Sequence, residues 1–154
     1  MEKFTIILDS REQKGWTFRA SEHCAGSKIQ KLDTGDVSIE GMEEIVSIER
    51  KLSVSEIAQN LNQKRFFKEL ERLRTIKHAY IICEFSISDI LTYPASLPYK
   101  VRRKIKMRGP YVLKRLVQLQ MEYPEIKLIF AGGCGQEICL EILKMVYSLE
   151  VKDE

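Results

Sequence analysis

The sequence predicts an α/β domain, and three observations lead there. Short, near-continuous apolar runs at Phe4–Leu8, Ala79–Phe85 and Lys127–Phe130 have the length and composition of strands buried in a sheet. Elsewhere apolar residues recur at three- and four-residue spacing, as on amphipathic helices. The resulting order, β-β-β-α-α-β-α-β-α, interleaves the two kinds of element and so calls for a mixed sheet flanked by helices.

Taken in order, Phe4–Leu8 is the first strand, and it delivers Asp9, Ser10, Arg11 and Glu12 to its end. Residues 14–34 show no clear period, and Trp16, Phe18, Ile29 and Leu32 are expected to pack at the margin of the core. A short strand at Val37–Ile39 and a β-branched run at Ile45–Lys51, separated by a turn over Glu40–Glu44, form a hairpin. Ser53-Val54-Ser55-Glu56 then has the form of a capping box, with Val54, Ile57, Ala58 and Leu61 as the stripe of the helix it opens. That helix breaks at Asn60-Leu61-Asn62, and a second over about Lys64–Ile76 turns Phe66, Phe67, Leu70 and Leu73 inward.

Ala79–Phe85 reads as a central strand buried on both faces, which makes Glu84 an oddity. Either a neighbouring cation holds it at the strand end, or it serves the functional site indirectly. Residues 86–99 form a loop with one helical turn near Asp89–Leu91, and Lys100–Arg108 carries six basic residues in nine with no acid. Gly109-Pro110 opens the next helix, with Pro at the tolerated first turn, and Pro124 closes it. The glycines after Lys127–Phe130 lack the ending of a phosphate loop and read as a plain connection to a last helix, Gln136–Leu149.

A chain of 154 residues, 44% of them hydrophobic, can fill the core of one domain spanning 1–154. A net charge of +3 gives no argument about partners, so local charge must carry it. Cys24, Cys83, Cys134 and Cys139 contain no CxxC pair, which argues against zinc and for mostly buried thiols in a reducing compartment. There is no signal-peptide pattern and no apolar run of membrane length. A soluble intracellular protein is expected, in the cytoplasm of a prokaryote or phage or in the nucleus of a eukaryote.

The stretch Gly35–Lys51 carries the chemistry. On a strand, residues two apart share a face, so Ser47, Glu49 and Lys51 align while Val46, Ile48 and Arg50 point the other way. The hairpin brings Asp36 alongside them. Two carboxylates offer hard oxygens to Mg²⁺ or Mn²⁺, and a lysine beside them offsets charge developing on a phosphate. On spacing alone the default reading is a surface ion pair between Glu49 and Lys51.

The wording of the motif goes further. Gly35-Asp36 followed by Glu49-Arg50-Lys51 resembles the GD…ERK…D signature of XPF-type structure-specific endonucleases, a branch of the PD-(D/E)XK superfamily. Asp9-Ser10-Arg11-Glu12 is similar to that family's opening D-x-R-E, and Arg65-Phe66 and Glu84 fall at comparable places. One departure stands out: the signature's final Asp falls on Ser55, with Glu56 one position beyond.

The resemblance implies a restriction-endonuclease-like fold and a Mg²⁺- or Mn²⁺-dependent DNA endonuclease acting on branched, flap or fork DNA in repair or recombination. Asp36 and Glu49 would hold metal, Asp9 and Glu12 would add or support a ligand, and Lys51 would position the water. Arg11 and Arg65 would touch DNA. So would Lys100, Arg102, Arg103, Lys104, Lys106 and Arg108, as a flexible basic segment tracking the phosphate backbone. A stand-alone nuclease domain, without the family's tandem helix-hairpin-helix module or a helicase domain, is expected. A Holliday-junction resolvase or nicking enzyme is an alternative, as is an inactive DNA-binding or scaffolding subunit, although all three signature residues are kept. The last helix has apolar residues over roughly 220° of arc, about twice what one core needs. A homodimer or heterodimer through that helix is therefore expected, as the resemblance also implies.

Overall fold

The computed structural model describes residues 2–11 and 15–152. Six strands pair into one mixed sheet: β1 (Phe4–Leu8), β2 (Cys24–Ile29), β3 (Val37–Ile39), β4 (Val46–Lys51), β5 (His78–Cys83) and β6 (Ile126–Phe130), in the spatial order β2-β1-β3-β4-β5-β6. β3 runs antiparallel to both β1 and β4, closing the expected hairpin, while β4, β5 and β6 run parallel. The parallel strands end level with one another, Lys51 opposite Cys83 and Cys83 opposite Phe130. In open α/β sheets that carboxyl end is where ligands bind.

Strand alternation divides the core in two. Ala79, Ile81 and Cys83 face α1 (Val54–Asn60), α2 (Lys64–Leu73), α3 (Ile87–Leu91) and α5 (Gly109–Glu122). Val46, Ile48 and Ile82 face the other way, against Trp16, Phe18 and the residues Cys139, Leu143 and Val146 of α6 (Gly135–Lys152). With both faces covered, β5 reads as an unbroken apolar run, as its sequence shows.

Several expectations are corrected. β2 was absent from the sequence pattern because it is an edge strand: only Cys24 and Gly26 of its six residues are buried, so no alternation marks it. It exists through backbone pairing with β1. Trp16, Phe18 and Leu32 are core residues rather than marginal ones, whereas Ile29 is 75% exposed. α2 stops at Leu73, and Phe67 is half-buried. The basic run is not a loose loop. It begins in α4 (Tyr99–Arg102), and Ile105 and Met107 pin it to the core. Gly109 then packs so closely on α3 that a Cβ there would lie 2.0 Å from the Ile90 carbonyl oxygen.

Candidate active site

Gly35 sets the geometry. It adopts a φ of +77°, and a Cβ on it would sit 2.1 Å from Ser47 Oγ, so only glycine lets the chain press against β4 here. The next residue is thereby held from both sides. Asp36 N donates to Ile48 O and Asp9 N donates to Asp36 O, each at 2.8 Å. The Asp36 carboxylate accepts from the Arg50 amide at 2.7 Å, which fixes it against β4.

Glu49 and Lys51 follow on one face of β4, their side chains 17% and 7% exposed, with Lys51 Nζ 3.4 Å from Glu49 Oε1. The ammonium also lies 5.1 Å from the centre of the Phe66 ring and 3.8 Å from Glu56 Oε1. Burial pushes the Glu49 carboxyl up to about 8, the negative charge of Asp36 pushes the same way, and Lys51 pulls back. Two like charges confined together are a site that gains from a divalent cation. Among the described residues no set of three or more His, Cys, Asp or Glu could hold a metal. The donor set is therefore two hard carboxylates, which suits an ion that keeps several waters and not a closed structural site.

Around these groups lies a cleft of about 360 Å³. Arg65, Glu69 and Arg72 line one wall from α2, and Asp9, Arg11, Asp33 and Thr34 contribute from the far side. Asp9 is a brace in this arrangement: its carboxylate accepts from Leu32 N at 2.8 Å and from Arg11 Nε at 2.8 Å, and the residue is 3% exposed. Arg11 and Arg65 are exposed at the cleft, as a phosphate contact requires. Glu12 lies outside the described residues. Lys100, Arg102, Arg103, Lys104, Lys106 and Arg108 are exposed, but none of them lines the cleft.

Two cleft residues were read otherwise from the sequence. Only half of the capping box forms, Ser53 Oγ accepting from Glu56 N at 3.1 Å, and the Glu56 carboxylate turns to Lys51 and the cleft instead. Arg72, grouped by sequence with a solvated face, lines the same wall as Arg65. Its spacing of seven residues, two helical turns, was the available signal.

Arg50 points off the Glu49 face, as the alternation required. Its guanidinium meets the Glu84 carboxylate at 2.8 and 3.2 Å and lies 4.3 Å from the centre of the Trp16 ring. Trp16 Nε1 donates to Glu84 as well, at 3.0 Å. Of the two readings of Glu84, the structure bears out the strand-end acid held by a cation.

A mixed sheet with Asp36, Glu49 and Lys51 gathered at the ends of its parallel strands is the arrangement that the sequence motif anticipated. The profile of the ERCC4 domain family matches residues 8–133, and the chain belongs to that family. Among solved structures it is similar to XPF from Aeropyrum pernix, with a TM-score of 0.62 and 19% identity over 97% of this chain and 67% of that one. It is likewise similar to XPF from Aeropyrum pernix in complex with DNA, with a TM-score of 0.61 and 20% identity over 96% of this chain and 66% of that one. This chain thus spans about two thirds of the length of those proteins, and likeness at such identity is a likeness of fold. No curated protein sequence matches it significantly. No helix among the described residues is long and apolar enough to cross a membrane.

Proposed function

We propose that the protein is a divalent-metal-dependent DNA endonuclease that hydrolyses phosphodiester bonds in branched, flap or fork DNA. The observation that carries this is the meeting of Asp36 and Glu49 in one cleft walled by Arg11, Arg65 and Arg72 at the carboxyl ends of the parallel strands, with the buried Lys51 ammonium 3.4 Å from Glu49. Asp36 and Glu49 would hold Mg²⁺ or Mn²⁺, which when bound acidifies water and draws charge from phosphorus. Lys51, fixed by Glu49, Glu56 and the Phe66 ring, holds its ammonium where it can orient the attacking water and offset charge growing on the phosphate. Arg65 and Arg72 from α2, and Arg11 opposite them, meet the flanking phosphate oxygens. Arg50 and Glu84 act from behind the sheet and keep β4 in place.

Labelled duplex, flap, fork and four-way-junction DNA, each with and without Mg²⁺ or Mn²⁺, test the reading. Asp36→Ala, Glu49→Ala and Lys51→Ala should each lower cleavage a hundredfold or more, about 3 kcal/mol of barrier. Near-wild-type cleavage by any of the three would sink the assignment.

The working form is a dimer joined through α6. Gly135, Cys139, Leu143 and Val146 are its buried residues and Ile138, Leu140, Ile142 and Tyr147 pack partly buried beside them, while Met145, Leu149 and Val151 are 60%, 47% and 40% exposed. Met145 and Leu149, with Ile138, Ile142, His78 and Tyr80, line an apolar groove that a second copy would cover.

A further inference from the structure

Charge is distributed unevenly along this chain. Residues 90–121 hold eight cations (Lys100, Arg102, Arg103, Lys104, Lys106, Arg108, Lys114 and Arg115) and not one acid. The remaining 17 cations and 22 acids leave the rest of the chain at −5, against +3 for the whole. Among the described residues none of the eight forms an ion pair, whereas Lys28, Arg50, Lys51, Arg74 and Lys77 all do. The cleft shows the opposite balance, lined by six acids against Arg11, Arg65 and Arg72, because the Arg50 guanidinium turns away to Glu84. Affinity for a polyanion beyond those three arginine contacts therefore has to come from outside it.

The basic segment also exposes aromatic rings. Tyr99, the first residue of α4, is 65% exposed, and Tyr111, in the first turn of α5, is 46% exposed. Each has an arginine against its ring: Arg102 lies 5.5 Å from the centre of Tyr99, and Arg115 lies 5.9 Å from that of Tyr111. The backbone beneath them is fixed, since Ile105 and Met107 pack on the core and Gly109 N donates to Tyr93 O at 2.9 Å. α3 follows the end of β5, beside the end of β4 that carries Lys51, and Gly109 packs on Ile90 and Leu91 of α3, which ties the close of the basic run to that end of the sheet.

Duplex DNA grips through phosphates and needs no aromatic surface at such a place. Single strands differ, because each unpaired base offers a face that stacks on an exposed ring while cations follow the backbone. We infer that α4, the N-terminal part of α5 and the basic run between them form a platform for single-stranded DNA. Bases stack on Tyr99 and Tyr111, and Lys100, Arg103, Lys104 and Lys106 hold the phosphates. The inference builds on the nuclease reading and narrows its substrate: the unpaired arm of a branched molecule rests on this shoulder while the cleft takes the strand to be cut.

Fluorescence anisotropy decides it, using a labelled oligo-dT of about 15 nucleotides and a duplex of equal length, both in EDTA. Working without metal separates this test from the cleavage reading, which the Asp36→Ala comparison addresses. Tyr99→Ala and Tyr111→Ala should each weaken oligo-dT binding about tenfold with the salt slope unchanged. Tyr99→Phe and Tyr111→Phe should bind as wild type, and duplex affinity should shift less than twofold throughout. Lys104→Ala should instead flatten the salt dependence on oligo-dT by about 0.7. Unchanged oligo-dT binding in both alanine variants, or an equal loss on duplex, would overturn the platform, as would a loss shared by the phenylalanine variants.

Discussion

Glu84 offers the sharpest test of how this site is built. Its carboxylate meets Arg50 at 2.8 and 3.2 Å and accepts from Trp16 Nε1 at 3.0 Å, with side-chain exposures of 8% for Arg50 and 19% for Glu84. Glu84→Ala removes one partner of a largely buried pair, a change that costs about 3–5 kcal/mol where burial is complete. The partial exposure of Glu84 argues for the lower end, and the indole N–H loses its acceptor too, so a loss of about 3–4 kcal/mol is expected. For a domain of this length that is a fall in Tm of about 6–16 °C. Urea unfolding measures the free energy directly. The double variant Arg50→Met/Glu84→Leu should recover much of the loss, because replacing a buried pair with apolar groups of similar size is often neutral. The folded fraction of Glu84→Ala should still cleave within a few-fold of wild type, since the carboxylate lies across the sheet from Glu49. A stability loss below about 1 kcal/mol, or loss of cleavage in fully folded protein, would refute this account of Glu84.

Two further outcomes follow from the site and from α6. Burial raises the Glu49 carboxyl to about 8 from an ordinary value near 4.5, so its contribution to stability is complete below pH 4.5 and is lost as pH rises through 8. Without divalent ions, Glu49→Gln should therefore overtake wild type by a few kcal/mol on the way to pH 8, read from urea midpoints, and Mg²⁺ should narrow the gap. Equal pH dependence in the two proteins would show that the carboxyl is not perturbed. On α6, Met145→Glu should convert a dimer to a monomer in sedimentation equilibrium, and a wild type that stays monomeric at high concentration would exclude the homodimer.

Much of this was legible in the sequence, and the reason lies in which contacts are local. β1 was readable to the residue and β4 and β5 to within a residue or two, because burial imposes an apolar period that each strand carries by itself. Asp36, Glu49 and Lys51 were readable because alternation along β4 and one short hairpin suffice to bring them together. The broken helix at residues 60–63 announced itself as a slip in the apolar register. α5 did so through Gly109-Pro110, and Arg50 could be assigned to the rear face by parity alone.

What the sequence left open depends on partners far away along the chain. β2 exists only by pairing with β1, so its six residues carry no pattern of their own. Glu56 fits a local capping box, yet its carboxylate goes to Lys51, because the start of α1 packs over the end of β4. Arg72 becomes a cleft residue only once α2 is laid across that opening. The identity of Glu84's cation was undetermined as well, since Arg50 is 34 residues away and Trp16 is 68. Sequence by itself determined the strands other than β2, their faces and the gathering of Asp36, Glu49 and Lys51, all of which follow from backbone periodicity and one short hairpin. The tertiary structure alone decided which charges face one another, because a charge takes its partner from whatever the packed helices bring within a few ångströms.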